Sequence, residues 1–191
     1  MELVAGVPML HRAIRALTTV ADDVVVISSN QAVVPQGIEV LPDARPGLGP
    51  LGGLHTALLE AEARQLHAVL LLACDLPLVS ERIIAAVAAQ AEASIALEAG
   101  RSSTGQAEES LAVAPIRAGG VEPLCAVYGC GALPFVAARL DGADLSLHAL
   151  FRVLNGRALD LASLGLETEE SFLNVNTPEE LLRARSYQER E

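Results

Sequence analysis

The sequence has no tryptophan, three phenylalanines and two tyrosines, so aromatics make up 3% of its 191 residues. A core must therefore be built from aliphatic side chains, and 51% of the residues are hydrophobic, with Ala, Leu and Val in excess. That proportion excludes a disordered chain. Basic residues are scarce: 13 Lys and Arg stand against 24 Asp and Glu, for a net charge of -11. A binder of nucleic-acid backbone normally shows a basic face, so that class is excluded as the main partner. A nucleotide is not excluded, because a divalent cation reconciles carboxylates with phosphates. No apolar run reaches the length of a membrane span, and no charged-then-apolar leader opens the chain. The expectation is a cytoplasmic protein without membrane or nucleic-acid partners. Cysteine is also sparse. Cys74, Cys125 and Cys130 lack zinc-type spacing and sit in apolar contexts, which predicts buried, reduced thiols. His11, His55, His67 and His148 do not pair at a metal-binding helical interval.

What is present alternates between strand and helix patterns. "MLHRAIRALTTV" has helical spacing behind Pro8. "DDVVVISS" is a β-branched run, expected as a strand buried on both faces. "GIEVLPD" predicts a short strand, and "HAVLLLACD" a buried strand ending in an acid. Between them "PGLGPLGGLH" packs four glycines and two prolines ahead of a helix over "TALLEAEARQL". "SERIIAAVAAQAEA" predicts a helix capped by Ser80, followed by a short strand at "ASIAL". Residues 98–110 read as a polar surface loop. "LAVAPI", "EPLCAVYG", "RALDL" and "SFLNVN" predict strands; "ALPFVAARL" and "SLHALFRVL" predict helices. In "TPEELLRARSYQERE", Thr177, Pro178 and Glu180 make a capping box. Alternation of this kind predicts an α/β layered fold in one domain.

In open α/β sheets, ligands bind outside the carboxyl ends of the strands. Asn30, Asp43 and Asp75 are the polar residues at such ends. Asp75 is the sharpest, because five apolar residues, Val69 to Ala73, lead to it. A buried carboxylate needs a partner: either a divalent cation with substrate phosphates, or backbone N–H groups of a turn. Asp43 before a Pro/Gly stretch, and Asn30 after a strand, are turn residues or hydrogen-bonding partners of a nucleoside. Asn174 and Asn176 flank one residue, so in extended chain they point to the same side. Glu122, just ahead of a strand, is either solvated or turned into the crevice.

"PDARPGLGPLGGLHTALL", "LLLACDLPLVS", "EPLCAVYG" and "SFLNVNTPEEL" occur in the order and spacing of the molybdenum cofactor guanylyltransferases, and the chain resembles that family from "GVPMLHRAIRAL" onward. The resemblance implies a Rossmann-like three-layer α/β/α sandwich with a mostly parallel central sheet. It implies transfer of GMP from GTP to molybdenum-molybdopterin with release of pyrophosphate, dependent on Mg2+. By position, Asp75 resembles the family's magnesium ligand and catalytic carboxylate. Asn30, Asp43, Gly49 and Gly53 resemble nucleotide-side residues. Asn174 and Asn176, with Glu122, fall on the pterin side. Transient contact with molybdopterin-synthesis proteins or acceptor molybdoenzymes would follow. The family opens with a strand and a loop like "LAGGxSxRMGxDK", whereas this sequence starts at "MELVAGVPML". The expectation is therefore an N-terminally incomplete domain over 1–191, with that loop outside the sequence. Two alternatives remain at this point: a transferase using CTP, and a catalytically silent member binding the cofactor or a partner protein.

Overall fold

Alternation of side chains along three strands sets the layering of this fold. A computed structural model describes residues 2–28, 33–99, 110–117, 119–142, 144–166 and 170–188. Strand β5 (Ala68–Leu72) pairs antiparallel with β8 (Cys125–Gly129), which pairs antiparallel with β6 (Ala112–Arg117). On these strands Val69, Leu71, Ala112, Ala126 and Tyr128 enter one apolar cluster. Their neighbours Leu70, Leu72, Val113, Cys125 and Val127 enter another. Period-two alternation thus places one core on each face of the sheet. Helices α2 (Gly49–Ala63), α4 (Leu133–Leu140) and α5 (Leu147–Val153) cover the first face through residues such as Leu54, Val136 and Leu150. Helices α1 (Met9–Leu17) and α3 (Glu81–Ala99) cover the second through Ala16, Ile83 and Val87.

Strand β6 also pairs parallel with β9 (Arg157–Asp160) and forms a hairpin with β7 (Gly120–Val121). Strands β5, β6 and β9 point one way and β8 runs against them, so the central sheet is mixed, with antiparallel pairings dominant, rather than mostly parallel. Apolar runs buried on both faces look alike in either direction, so composition could not report this reversal. A separate parallel pair, β3 (Val25–Ile27) with β4 (Glu39–Leu41), lies outside the central sheet. Both β3 and β5 are half-buried along their length, not fully enclosed. Among the described residues each has one strand neighbour.

Three further expectations change. "ASIAL" is not a strand, because α3 runs on to Ala99. Its alanines and leucine are strong helix formers, and Ser94 Oγ bonds back to Gln90 O at 2.9 Å without breaking the helix. "SFLNVN" forms turns and irregular chain ahead of α6 (Pro178–Gln188). An unforeseen hairpin, β1 (Leu3–Val4) with β2 (Val7–Pro8), precedes α1. Of the thiols, only Cys125 is buried; Cys130 is half-buried and Cys74 is exposed. Most of the 98–110 segment lies outside the described residues. Among the described residues no helix is long and apolar enough to cross a membrane.

Candidate functional site

Strand β5 delivers Asp75 to the sheet edge. Ala73 N donates to Leu124 O at 2.9 Å, which extends the β5–β8 pairing one residue past Leu72. The chain then turns, with Leu76 N donating to Ala73 O at 3.3 Å and Arg12 Nε to Pro77 O at 2.8 Å. Within that turn Asp75 Oδ1 is buried and has no hydrogen-bond partner. A turn acid would have bonded a backbone N–H, and an orphaned carboxylate oxygen costs about 1–3 kcal/mol or more. The orphan fits a cation: magnesium is held by one or two carboxylates and completes its shell with phosphate oxygens and water. Among the described residues no cluster of three or more His, Cys, Asp or Glu could hold a metal, so a cation at Asp75 would have to take most of its oxygens from elsewhere.

The segment that carries the asparagine pair is bonded to the Asp75 backbone. Val175, between Asn174 and Asn176, donates its N–H to Asp75 O at 2.9 Å. The two side chains share a side, Asn176 Nδ2 donating to Asn174 Oδ1. The capping box of α6 anchors them from behind. Glu180 Oε2 accepts from Asn176 N at 2.8 Å and Thr177 N at 2.9 Å, and Thr177 Oγ1 accepts from Glu180 N at 3.2 Å. These bonds, Asn176 N first, hold the Glu180 carboxyl below the usual carboxylate range.

Glu122 is buried. It sits where the chain leaves β7 and swings into β8, beside the end of β5. Its Oε1 accepts from Leu124 N at 3.4 Å, and its Oε2 lies 3.4 Å from an Arg117 terminal nitrogen. The Arg117 guanidinium stands over the Phe172 ring, 5.9 Å from its centroid. Arg117 escaped the sequence reading because its partner lies across a hairpin. Its one signal was a cation ending the apolar run "AVAPI".

The glycine stretch contributes differently from expectation. Helix α2 starts at Gly49, not after His55, so Gly52 and Gly53 lie in its opening turns. Pro50 fits that first turn because the missing N–H has no partner there, and Gly49 takes a φ of +65° that favours glycine. Asp43 faces this helix end. Its Oδ1 accepts from Arg45 N at 2.8 Å, as an Asx turn does, and from Thr56 Oγ1 at 3.2 Å. Gly52 is the glycine the packing requires: an added Cβ would stand 2.8 Å from Arg45 O and 3.1 Å from Asp43 Oδ2. Next to Gly53 there is open space. An exposed pair, Arg45 with Asp141 at 2.7 Å, ties the stretch to the end of α4. Because β5 follows α2 and returns along it, the first turn of α2 and the tip of β5 occupy one edge of the fold. Asn30 lies outside the described residues.

Residues 1–157 match the MobA-like NTP transferase domain. The chain belongs to that family. It is 30% identical over 182 residues to a probable molybdenum cofactor guanylyltransferase of Nostoc sp., covering 93% of this chain and 78% of that protein. A protein of the same description from Flavobacterium johnsoniae is 25% identical, covering 91% and 80%. Among solved structures, molybdopterin-guanine dinucleotide biosynthesis protein A from Archaeoglobus fulgidus superimposes with a TM-score of 0.74 at 21% identity, covering 99% of this chain and 89% of that one. The 2-C-methyl-D-erythritol 4-phosphate cytidylyltransferase of Thermus thermophilus superimposes with a TM-score of 0.65 at 19% identity, covering 98% and 92%. At those identities the two structures speak for the fold alone, and that fold is one nucleotidyltransferases use.

Proposed function

We propose that this member of the family transfers GMP from GTP to molybdenum-molybdopterin, forming the guanine dinucleotide cofactor and pyrophosphate. The sequence relatives are described by that activity, which favours GTP over CTP and a working enzyme over a silent binder. The observation that carries the chemistry is the buried, orphaned Oδ1 of Asp75 at the tip of β5.

Transfer of this kind forms a bond from a pterin phosphate oxygen to the α-phosphorus of GTP and breaks the bond to the β-phosphate, whose oxygen leaves with pyrophosphate. It requires positioning and charge neutralisation more than a protein nucleophile. Asp75 would hold Mg2+ through its unpaired oxygen, and the ion would supply neutralisation of phosphate charge. Asp43, Gly49 and Gly53 would serve the nucleotide side, the last leaving room for close approach, and Asn30 is assigned to the same side by its sequence position alone. Asn174, Asn176 and Glu122 serve the pterin side. The protein acts in the cytoplasm and hands its product to acceptor molybdoenzymes, in transient contact with molybdopterin-synthesis proteins.

The test is GMP transfer from labelled GTP to molybdenum-molybdopterin with magnesium, following dinucleotide and pyrophosphate. Asp75→Asn keeps the shape and removes the charge; its rate should fall about 100-fold or more with folding intact. Undiminished transfer by that variant would remove Asp75 from the metal role, and preference for CTP would replace the nucleotide.

A further inference from the structure

The sequence contains no lysine, so every fixed cation is an arginine. Several of the described arginines are committed to ion pairs: Arg64 bridges Glu39 and Glu60, Arg139 holds Asp144, and Arg45 holds Asp141. Two others stand by the Asp75 turn. Arg12 fixes the turn after Asp75 through Pro77 O. Arg117 ends β6, a strand pointing the same way as β5, and its surroundings close a circuit back to Asp75. Phe172 lies under its guanidinium, Val175 three residues on is bonded to Asp75 O, and Glu122 beside it leads through Leu124 to Ala73.

The pairing of Arg117 is slack. Its contact with Glu122 is 3.4 Å, well beyond the ~2.7–2.9 Å of a good charge-assisted hydrogen bond. Its Nε is buried without a partner. A guanidinium carries five N–H donors, and this side chain remains 38% exposed. Buried Glu122 needs the cation nearby, and the Phe172 face fixes the plane of the fork. Gly119 makes room for that orientation, since a Cβ there would stand 2.8 Å from Arg117 Nη1. The result is a half-exposed, oriented cation whose one side-chain hydrogen bond among the described residues is the long one to Glu122, on the edge that also carries Asp75 and the asparagine pair.

We propose that Arg117, oriented by Glu122 and Phe172, binds the phosphate monoester of the acceptor substrate. This rests on the acceptor reading above. A planar fork matches phosphate oxygens two at a time, and the incoming phosphate is the charge that Asp75, itself negative, cannot neutralise. Glu122 is a positioning residue: it acts through Arg117 rather than on the substrate.

The test uses a fluorescent pterin carrying a phosphate monoester, and the same pterin after phosphatase treatment, titrated against the purified protein. Wild type should bind the phosphorylated form more tightly. Arg117→Ala should weaken that form roughly 10- to 100-fold and leave the dephosphorylated form unchanged. Arg117→Lys should recover part of the loss, and Glu122→Gln should give an intermediate loss. Arg117→Gln retains most of the side-chain packing and repeats the measurement should the alanine variant unfold. In the transfer assay KM for the acceptor should rise while KM for GTP stays. Equal losses for both pterins, or none, would overturn the assignment. Absence of GMP transfer by wild type would sink the function reading alone, because phosphate discrimination in the titration stands independently of it.

Discussion

A methyl group on Gly52 would sit 2.8 Å from the backbone oxygen of Arg45, closer than such atoms come without movement. One residue on, Gly53 has nothing within 4 Å of the same position. The two therefore respond oppositely to alanine. Gly52→Ala should lose about 1–3 kcal/mol through overpacking, more than the ~1 kcal/mol that alanine contributes in a helix. Gly53→Ala should gain up to about 1 kcal/mol; on the proposed nucleotide-side role of Gly53, it should also lower guanylyl transfer by filling the open space beside it. Urea denaturation of both variants, with the transfer assay alongside, checks the pair; stabilisation by Gly52→Ala would contradict the packing. At this scale some residues were legible and some were not. Asp75 stood out because a five-residue apolar run aims it. The asparagine pair stood out because two-residue spacing puts both on one side. Gly52 could not be told from Gly49 and Gly53, since what distinguishes it is Asp43, nine positions away. Arg117 was invisible because its meaning depends on Glu122 across a hairpin and Phe172 from a distant segment.

Elements with local start signals were read correctly. Helix α6 begins at a capping box whose bonds are all present, and Ser80 Oγ accepts from Ile83 N at 3.3 Å at the start of α3. Helix α2 was missed at its start because glycine is a poor helix former, yet Leu51, Leu54 and Leu58 bury fully against the sheet and hold its first turns in place. Strand β5 yields a sharp expectation. Its register pairs Ala68 with Gly129 and Leu72 with Cys125. Cys130 N donates to His67 O and Ala73 N to Leu124 O, so odd-numbered positions are the hydrogen-bonded pairs of an antiparallel ladder. The amides of Val69, Leu71 and Ala73 therefore point to β8. Those of Ala68, Leu70 and Leu72 point to the other edge, where the described residues supply no strand. Amide exchange followed by NMR should show protection alternating along β5. Uniform protection would mean that something pairs with that edge.

At the scale of the molecule, aliphatic composition and strand–helix alternation were enough to foresee helices on both faces of a sheet. Strand direction was not legible: β8 runs against β5 and β6 because the chain reverses at the β6–β7 hairpin and keeps that heading into β8, and nothing in "CAVYG" records it. Order in space was equally hidden, for β6 gathers β7, β8 and β9 from three later parts of the chain.

The half-buried apolar strand β5, one edge of which no strand of the described residues covers, also bears on how the protein behaves in a tube. Free N–H and C=O groups along such a strand are a template for another copy. A net charge of -11 keeps copies apart, but that repulsion fades as the screening length falls from ~30 Å at 0.01 M salt to ~8 Å at 0.15 M. Light scattering should therefore report a mean mass that climbs with added salt, the reverse of an assembly held by ion pairs. A mass indifferent to salt would show the edge to be shielded. Colloidal stability, and with it the choice of storage buffer, follows from the five residues that lead to Asp75.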